Sequence, residues 1–281
     1  MRPIPCASAT NTITIRPASA VTSAFTLTSA ATQTVKIDTG KYYRLDGRPG
    51  GSGTNNYIVI ENTSTTGTAL LLQNDAAFNN IRNCVIQGVN TTTTIGTLML
   101  GTTNGTIGNS YNRIEFCNIG NATTNPVHAV YSSGTASTPN IRNVFSKNSV
   151  YNFQGGTSYG FYSSANSSRW IVDSNSFYQT TNTVAANQTR IIYFAGSDSN
   201  YVRNNFIGGN APNCSGTWAS STATASNAGR IIGIWMDGGT TYPSYVDNNT
   251  IQNFSLITTS GGSAGPGIFC GIYTTAGNVN I

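Results

Sequence analysis

Charge is what this sequence has least of. Only 8% of its 281 residues are Asp, Glu, Lys or Arg, against about a quarter in ordinary soluble domains. Solubility therefore has to come from hydroxyls and amides. The 14 basic residues outnumber the 9 acidic ones, for a net charge of +5, yet they form no run that could track a phosphate backbone, so nucleic acid is excluded as the expected partner. The single histidine, His128, has no Gly-x-Ser-x-Gly elbow to build a triad with, and metal-binding imidazoles ordinarily come in clusters, so it reads as a strand residue. The five cysteines, Cys6, Cys84, Cys117, Cys214 and Cys270, contain no Cys-x-x-Cys pair. Zinc sites and a dense disulfide framework are both excluded, and the thiols are expected as small buried hydrophobes. No apolar run approaches the roughly 20 residues that span a bilayer. Met1 to Ile15 lacks the basic start and apolar stretch of a signal peptide.

What the chain does have is 38% hydrophobic residues and 10% aromatics, gathered in short β-branched clusters such as Tyr57–Ile60 and Arg190–Phe194. A disordered polar chain would not carry these clusters, which read as strands. A hexad of the form apolar-x-x-Asn/Cys-x-apolar appears six times, at Ile81–Ile86, Ile114–Ile119, Phe145–Val150, Val172–Phe177, Val202–Ile207 and Val246–Ile251. Its fourth positions, Cys84, Cys117, Asn148, Asn175, Asn205 and Asn249, are spaced by 33, 31, 27, 30 and 44 residues.

Between the hexads an aliphatic or Phe residue followed by an aromatic recurs at Val130-Tyr131, Phe161-Tyr162, Ile192-Tyr193, Ile234-Trp235 and Ile272-Tyr273. A period near 30 with two strand-like pieces and no helical pattern defines a β-solenoid, one coil per repeat. The fold class is thus all-β, a right-handed parallel β-helix with about 27–44 residues per coil in the second half and shorter coils at the N-terminus. Earlier strands are expected at Ile13–Ile15, Phe25–Leu27, Val35–Ile37, Tyr43–Leu45, Ile58–Ile60 and Leu70–Leu72. Residues 1–281 read as a single solenoid segment with a sub-boundary near 47–55, the alternative being a separate N-terminal β domain ending there.

Within each hexad the two apolar residues should point inward from consecutive strands. The fourth-position Asn should sit at the corner, tolerate left-handed dihedrals, and bond the Asn of the neighbouring coil as a ladder. Cys84 and Cys117 would occupy its first two rungs.

The combination of Gly-Ile-Tyr or Gly-Phe-Tyr, an Asn- and Ser-rich turn and Val-x-x-Asn-x-Ile resembles the parallel β-helix repeats of the pectate-lyase-like superfamily. Ile13–Ala18, Leu45–Gly51 and Ile60–Ser64 look more specifically like large exported surface proteins of Bacteroidota. That resemblance implies an extracellular or cell-surface location and a partial chain, since neither a signal peptide nor a sorting domain is present. The superfamily spans lyases, glycoside hydrolases, tailspikes and adhesins, so fold does not settle function.

Enzymes of this fold imply an acidic calcium cluster with an Arg base, or closely placed aspartates. Here no two acidic residues lie close in sequence. Asp173 and Asp247 share the second position of their hexads and are the weak catalytic candidates; Arg203 lies between them in the same register, and Arg82 beside Glu115, which reads more simply as a solvated charge row. The aromatic series Tyr131, Tyr162, Tyr193, Trp235 and Tyr273 should point outward and is the candidate binding column for polysaccharide or a surface protein, unless loops fold over it. Thr91 to Thr94 is a consecutive tract rather than one Thr per coil, and reads as a loop. The sequence leads to a non-catalytic structural or adhesive module, with a carbohydrate-active enzyme of the same fold as the alternative; no cofactor and no metal are called for, and oligomeric state is left open.

Overall fold

The computed structural model describes residues 1–181, 188–220, 229–258 and 266–281. Three parallel sheets wind along one axis. Sheet A holds nine strands, from Ile13–Ile15 and Tyr43–Asp46 through Asn80–Arg82, Arg113–Glu115, Val144–Ser146, Ile171–Asp173, Tyr201–Arg203 and Ser244–Asp247 to Val279–Asn280. Sheet B holds eight, starting with Phe25–Ser29 and ending with Thr250–Ile251. Sheet C holds eight more, from Gln33–Asp38 through His128–Ser132, Ser158–Ser163, Gln188–Ser197 and Arg230–Gly238 to Phe269–Ala276. Each coil visits A, B and C in turn, and every ladder between coils is parallel. The chain is therefore a right-handed parallel β-helix.

The hexads form the corner between sheets A and B. Their first apolar residues (Ile81, Ile114, Phe145, Val172, Val202, Val246) are at most 1% exposed and pair in register up sheet A. Burial of each such side chain contributes about 1.5–3 kcal/mol, which is the main reason a chain so poor in charge folds. Ile13 pairs with Tyr43 and Arg44 with Asn80, advances of 30 and 36 residues, so the first coils are as long as the later ones. The strands on either side of residues 47–55 belong to the same three sheets.

The left-handed residue at this corner is the third of the hexad, not the fourth. Asn83, Phe116, Lys147, Ser174, Asn204 and Asn248 all have φ between 50° and 58°. The backbone turns there, which leaves the fourth residue in sheet-compatible geometry with its side chain aimed inward. Asn148 donates Nδ2 to Asn175 Oδ1 at 3.0 Å, Asn175 to Asn205 at 3.0 Å, and Asn205 to Asn249 at 2.9 Å. The backbone N–H of Cys117 enters the ladder by donating to Asn148 Oδ1 at 2.9 Å. A hydrogen bond with the adjacent Cys117, together with burial, holds the Cys84 thiol well above its ordinary pKa. Cys84, Cys117 and Cys214 are buried, whereas Cys6 is exposed and Cys270 half-buried, so the expectation of buried thiols fails at those two. Cys6 precedes the first strand, where no coil covers it.

A second ladder runs two residues ahead of the hexads. Asn79 donates to Asn112 at 3.0 Å and Asn112 to Asn143 at 3.1 Å; Trp170 then interrupts the column, its N–H donating to Asn200 Oδ1 at 3.0 Å. One position before this ladder lies a second corner column, where Tyr42, Phe78, Tyr111, Arg142, Arg169 and Ser199 take φ from 55° to 62°. Asp75 anchors the long turn between sheets C and A. It accepts backbone N–H groups of Thr106, Ile107 and Gly108 and the Thr103 hydroxyl. Burial opposes its charge, but these donors outweigh that and hold its pKa below the ordinary value.

Candidate functional site: the outer face of sheet C

The five aromatics of the sequence series fall on one ladder of sheet C, with Tyr131, Tyr162, Tyr193, Trp235 and Tyr273 paired coil to coil. The residues after the first four, Ser132, Ser163, Phe194 and Met236, are buried in the interior, so the aromatics face outward. Ring centroids are 5.3, 5.1, 5.0 and 4.9 Å apart along the column. Outward is not the same as exposed: Tyr131 is 7% and Tyr193 8% exposed, while Tyr162, Trp235 and Tyr273 are half-buried. The rings cover one another and are flanked by a second outward column. Only edges and parts of faces meet solvent.

That second column, three residues before the aromatics, is His128, Tyr159 and Arg190, in register on adjacent coils. The strand carries two inward residues between the columns. Gly160 is one of them, where a Cβ would meet the Ile191 carbonyl oxygen at 2.8 Å and the Phe153 and Phe177 rings at 2.9 Å. The Arg190 guanidinium lies 4.0 Å from the Trp235 ring centroid, 4.9 Å from Tyr193 and 5.6 Å from Tyr159. It donates Nε to Gln188 Oε1 at 2.7 Å and Nη1 to the Tyr159 hydroxyl at 3.2 Å. Among the described residues it has no carboxylate ion pair. Sequence reasoning saw Arg190 only as a strand residue, although its place three before Tyr193, matching Tyr159 before Tyr162, was the available signal.

The electrostatics of this face oppose proton chemistry. Burial pushes the Tyr159 hydroxyl up to about 12 and raises Tyr193 too. His128 is fully buried beneath the turn that follows sheet B. Its Nε2 meets the Thr93 carbonyl at 3.1 Å, so that nitrogen carries the hydrogen, and desolvation lowers its pKa to about 4. Its Nδ1 has no hydrogen-bond partner among the described residues. Thr91 to Thr94 belongs to this turn.

The acidic candidates lie elsewhere, on the outside of sheet A. Asp173, Arg203 and Asp247 pair on consecutive strands. Arg203 Nε donates to Asp173 at 3.0 Å, and Asn204 and Ser174 also donate to that carboxylate, which together hold its pKa below the ordinary value against the opposing effect of burial. Glu115 pairs in register with Arg82 but takes its ion pair from Arg113. No group of three or more His, Cys, Asp or Glu able to hold a metal occurs among the described residues. No described helix is long and apolar enough to cross a membrane.

Architecture and site together define a parallel β-helix with an aromatic ladder on one outer sheet. No protein-family model matches the chain, and neither does any curated protein sequence. Among solved structures it is similar to the alginate lyase from Paenibacillus sp. str. FPU-7, with 15% identity over 94% of this chain and 92% of that one and a TM-score of 0.44. At that identity and score the likeness bears on no residue of this chain.

Proposed function

We propose that this chain is a glycan-binding solenoid of an extracellular or cell-surface protein, with the outer face of sheet C as its binding surface. The observation that carries this reading is the continuous column from Tyr131 to Tyr273, five aromatics held in register across five coils by a rigid ladder. Aromatic rings offer broad apolar contact with a polar edge, and sugar rings present the matching C–H faces. The half-buried Tyr162, Trp235 and Tyr273 supply the accessible area, and the polar edge is continued by Arg190. Adhesion to a surface protein through the same column is the other form of this reading.

Glycan-array or pull-down binding tests it. The pair Tyr162→Ala and Trp235→Ala should together cost about 2 kcal/mol or more, a loss of about thirtyfold. Binding should survive chelation of divalent cations. Wild-type binding by the double variant would refute the proposal.

A second reading, cleavage of a polysaccharide on the same face, draws on two observations: the Arg190 guanidinium without a carboxylate partner among the described residues, and the buried His128, whose ring centroid lies 4.7 Å from that of Tyr159 and whose Nδ1 has no hydrogen-bond partner among the described residues. Phenols pushed upward and a histidine pushed down to about 4 are poorly tuned for taking a proton near neutral pH, which is why binding is the leading reading. Appearance of shortened or unsaturated oligosaccharides, abolished by Arg190→Ala, would replace the first reading with the second.

A further inference from the structure

Sheet A carries a charged depression well separated in the winding from the aromatic ladder. Arg16, Arg44, Arg48 and Arg82 line a cavity of about 260 Å³ together with Thr14, Asp46 and Asn80. In a chain where charge is scarce, four guanidiniums share one depression, and of the nine acidic residues only Asp46 lines it. We propose that this depression is an oxyanion site for a polyanionic saccharide, seating the sulfate ester or carboxylate of a sugar.

The site is built rather than incidental. Arg44 lies on the strand between Thr14 and Asn80, and Asp46 pairs with Arg82. Arg16 follows Ile15, the partner of Leu45, which sets it beside Asp46 at the edge of the sheet. Asp46 is occupied by Arg48, which donates Nε to its Oδ1 at 2.8 Å and Nη2 to its Oδ2 at 2.6 Å. Burial alone would raise the Asp46 pKa, but these bonds and the nearby Arg82 hold it down, so the carboxylate stays charged and fixes Arg48 in place. Arg82 is steadied over the Phe116 ring at 5.3 Å. Arg16 packs over Gly51, at φ 83°, where a Cβ would come within 2.5 Å of Arg16 Nη1; the loop that carries Gly51 is tied back by the Gly50 N–H donating to the Pro17 carbonyl at 3.0 Å.

Arg16 and Arg44 are exposed and make no ion pair among the described residues. Four cations against one carboxylate leave an excess of positive charge converging from three strands and a loop. Guanidiniums so arranged suit an oxyanion with several acceptor oxygens.

The neighbouring surface favours a sugar over a nucleic acid. Tyr42, Phe78 and Tyr111 flank Arg44, but their rings stack on one another at 5.2 and 4.9 Å with only 11° between planes. Phe78 has both faces covered by its neighbours and the Arg142 guanidinium lies 5.7 Å from the Tyr111 ring, so little open ring face is offered for a base to stack on, which is the contact single strands depend on. The basic depression also spans only about three coils, roughly 10–15 Å at 4.8 Å per coil, enough for two or three sugars and too short to follow a phosphate backbone.

The test is binding of the full chain to dextran sulfate, to polygalacturonate and to uncharged dextran at several salt concentrations. Binding to one or both polyanions, weakened by salt and absent for dextran, is the expected result, and the polymer preferred tells sulfate from carboxylate. The pair Arg16→Gln and Arg44→Gln should weaken it by about tenfold or more. A remote pair removing the same charge, Arg169→Gln and Arg203→Gln, should change it by less than about twofold. Tyr162→Ala with Trp235→Ala should leave it intact, which separates this site from the sheet C reading. The proposal is overturned if neither polyanion binds, if the remote pair weakens binding as much as the local one, or if the local pair has no effect. Equal or tighter capture of a single-stranded oligonucleotide would also overturn it.

Discussion

Replacing Asn205 with Leu isolates what a ladder rung contributes. Asn205 Oδ1 accepts both the backbone N–H and the Nδ2 of Asn175, each at 3.0 Å, and its Nδ2 donates to the Val172 carbonyl at 2.9 Å and to Asn249 Oδ1 at 2.9 Å. Leucine has a similar volume and can make none of these bonds. On Asn175 and Val172, residues with no exposure at all, the Asn175 backbone N–H would be left without its partner, the Val172 carbonyl would lose a donor, and Asn175 Nδ2 would keep only its bond to the Phe145 carbonyl at 2.9 Å. An orphaned buried polar group costs about 1–3 kcal/mol. The expected cost is therefore about 2 kcal/mol. Equilibrium urea unfolding followed by circular dichroism gives the difference, with the end rung as internal control: Asn249→Leu should cost less, because Asn249 is only half-buried and water can replace its partner. A cost below about 1 kcal/mol for Asn205→Leu, or a larger one for Asn249→Leu, would refute the reasoning that buried amide satisfaction holds the corner.

His128 predicts a pH dependence. Its folded pKa of about 4 lies below the ordinary 6.5, so the unfolded chain binds more protons between these values, and stability should fall as pH drops from about 6.5 toward 4, by about 3 kcal/mol in all. Melting temperatures of His128→Phe should lack that slope. Asp75 acts at lower pH: its pKa is depressed, so its contribution is complete above the ordinary carboxylate range and lost as pH falls through the depressed value. Asp75→Ala should destabilise by about 2 kcal/mol or more, since three backbone N–H groups lose their acceptor, and proteolysis should begin in residues 101–110. Among the thiols, Cys6 should react at once with a thiol reagent, and Cys84 and Cys117 only after unfolding.

Much of the fold was legible because its period is carried by inward apolar residues, and these cannot drift without losing the core. Ile114, Phe145 and Val172 differ in shape but not in direction. The corner was misread by one residue. Asn is the side chain that best tolerates left-handed dihedrals, so the recurrent Asn drew that role, while the residues that hold it include Phe116 and Lys147, which have no such preference. Tertiary stacking overrides propensity there. The second ladder escaped notice because Trp170 and Ser244 break its pattern, although Asn79, Asn112, Asn143 and Asn200 share one offset from the hexads. At the aromatic face, sequence gave direction but not cover. Alternation tells which way Tyr131 and Tyr193 point; that neighbouring rings leave them under a tenth exposed depends on residues from other coils. Spacing alone could have put Arg190 in the column three before the aromatics, but not its contacts, which are with rings on three different strands.

The buried amides of the Asn ladders also share a sense of travel. From Asn148 to Asn249, from Asn79 to Asn143, and from Asn109 to Asn140, the donating Nδ2 always belongs to the earlier coil and the accepting Oδ1 to the later. Such a queue behaves like peptide units in an α-helix: each amide dipole lies head to tail with the next, and bonds in series polarise one another. The interior of this solenoid is thus electrically oriented along its axis without a single charged group in the queue. Reversing one amide would set two donors and two acceptors face to face, so the orientation of any rung is fixed by its neighbours, and a coil that joins the stack inherits its polarity from the one before.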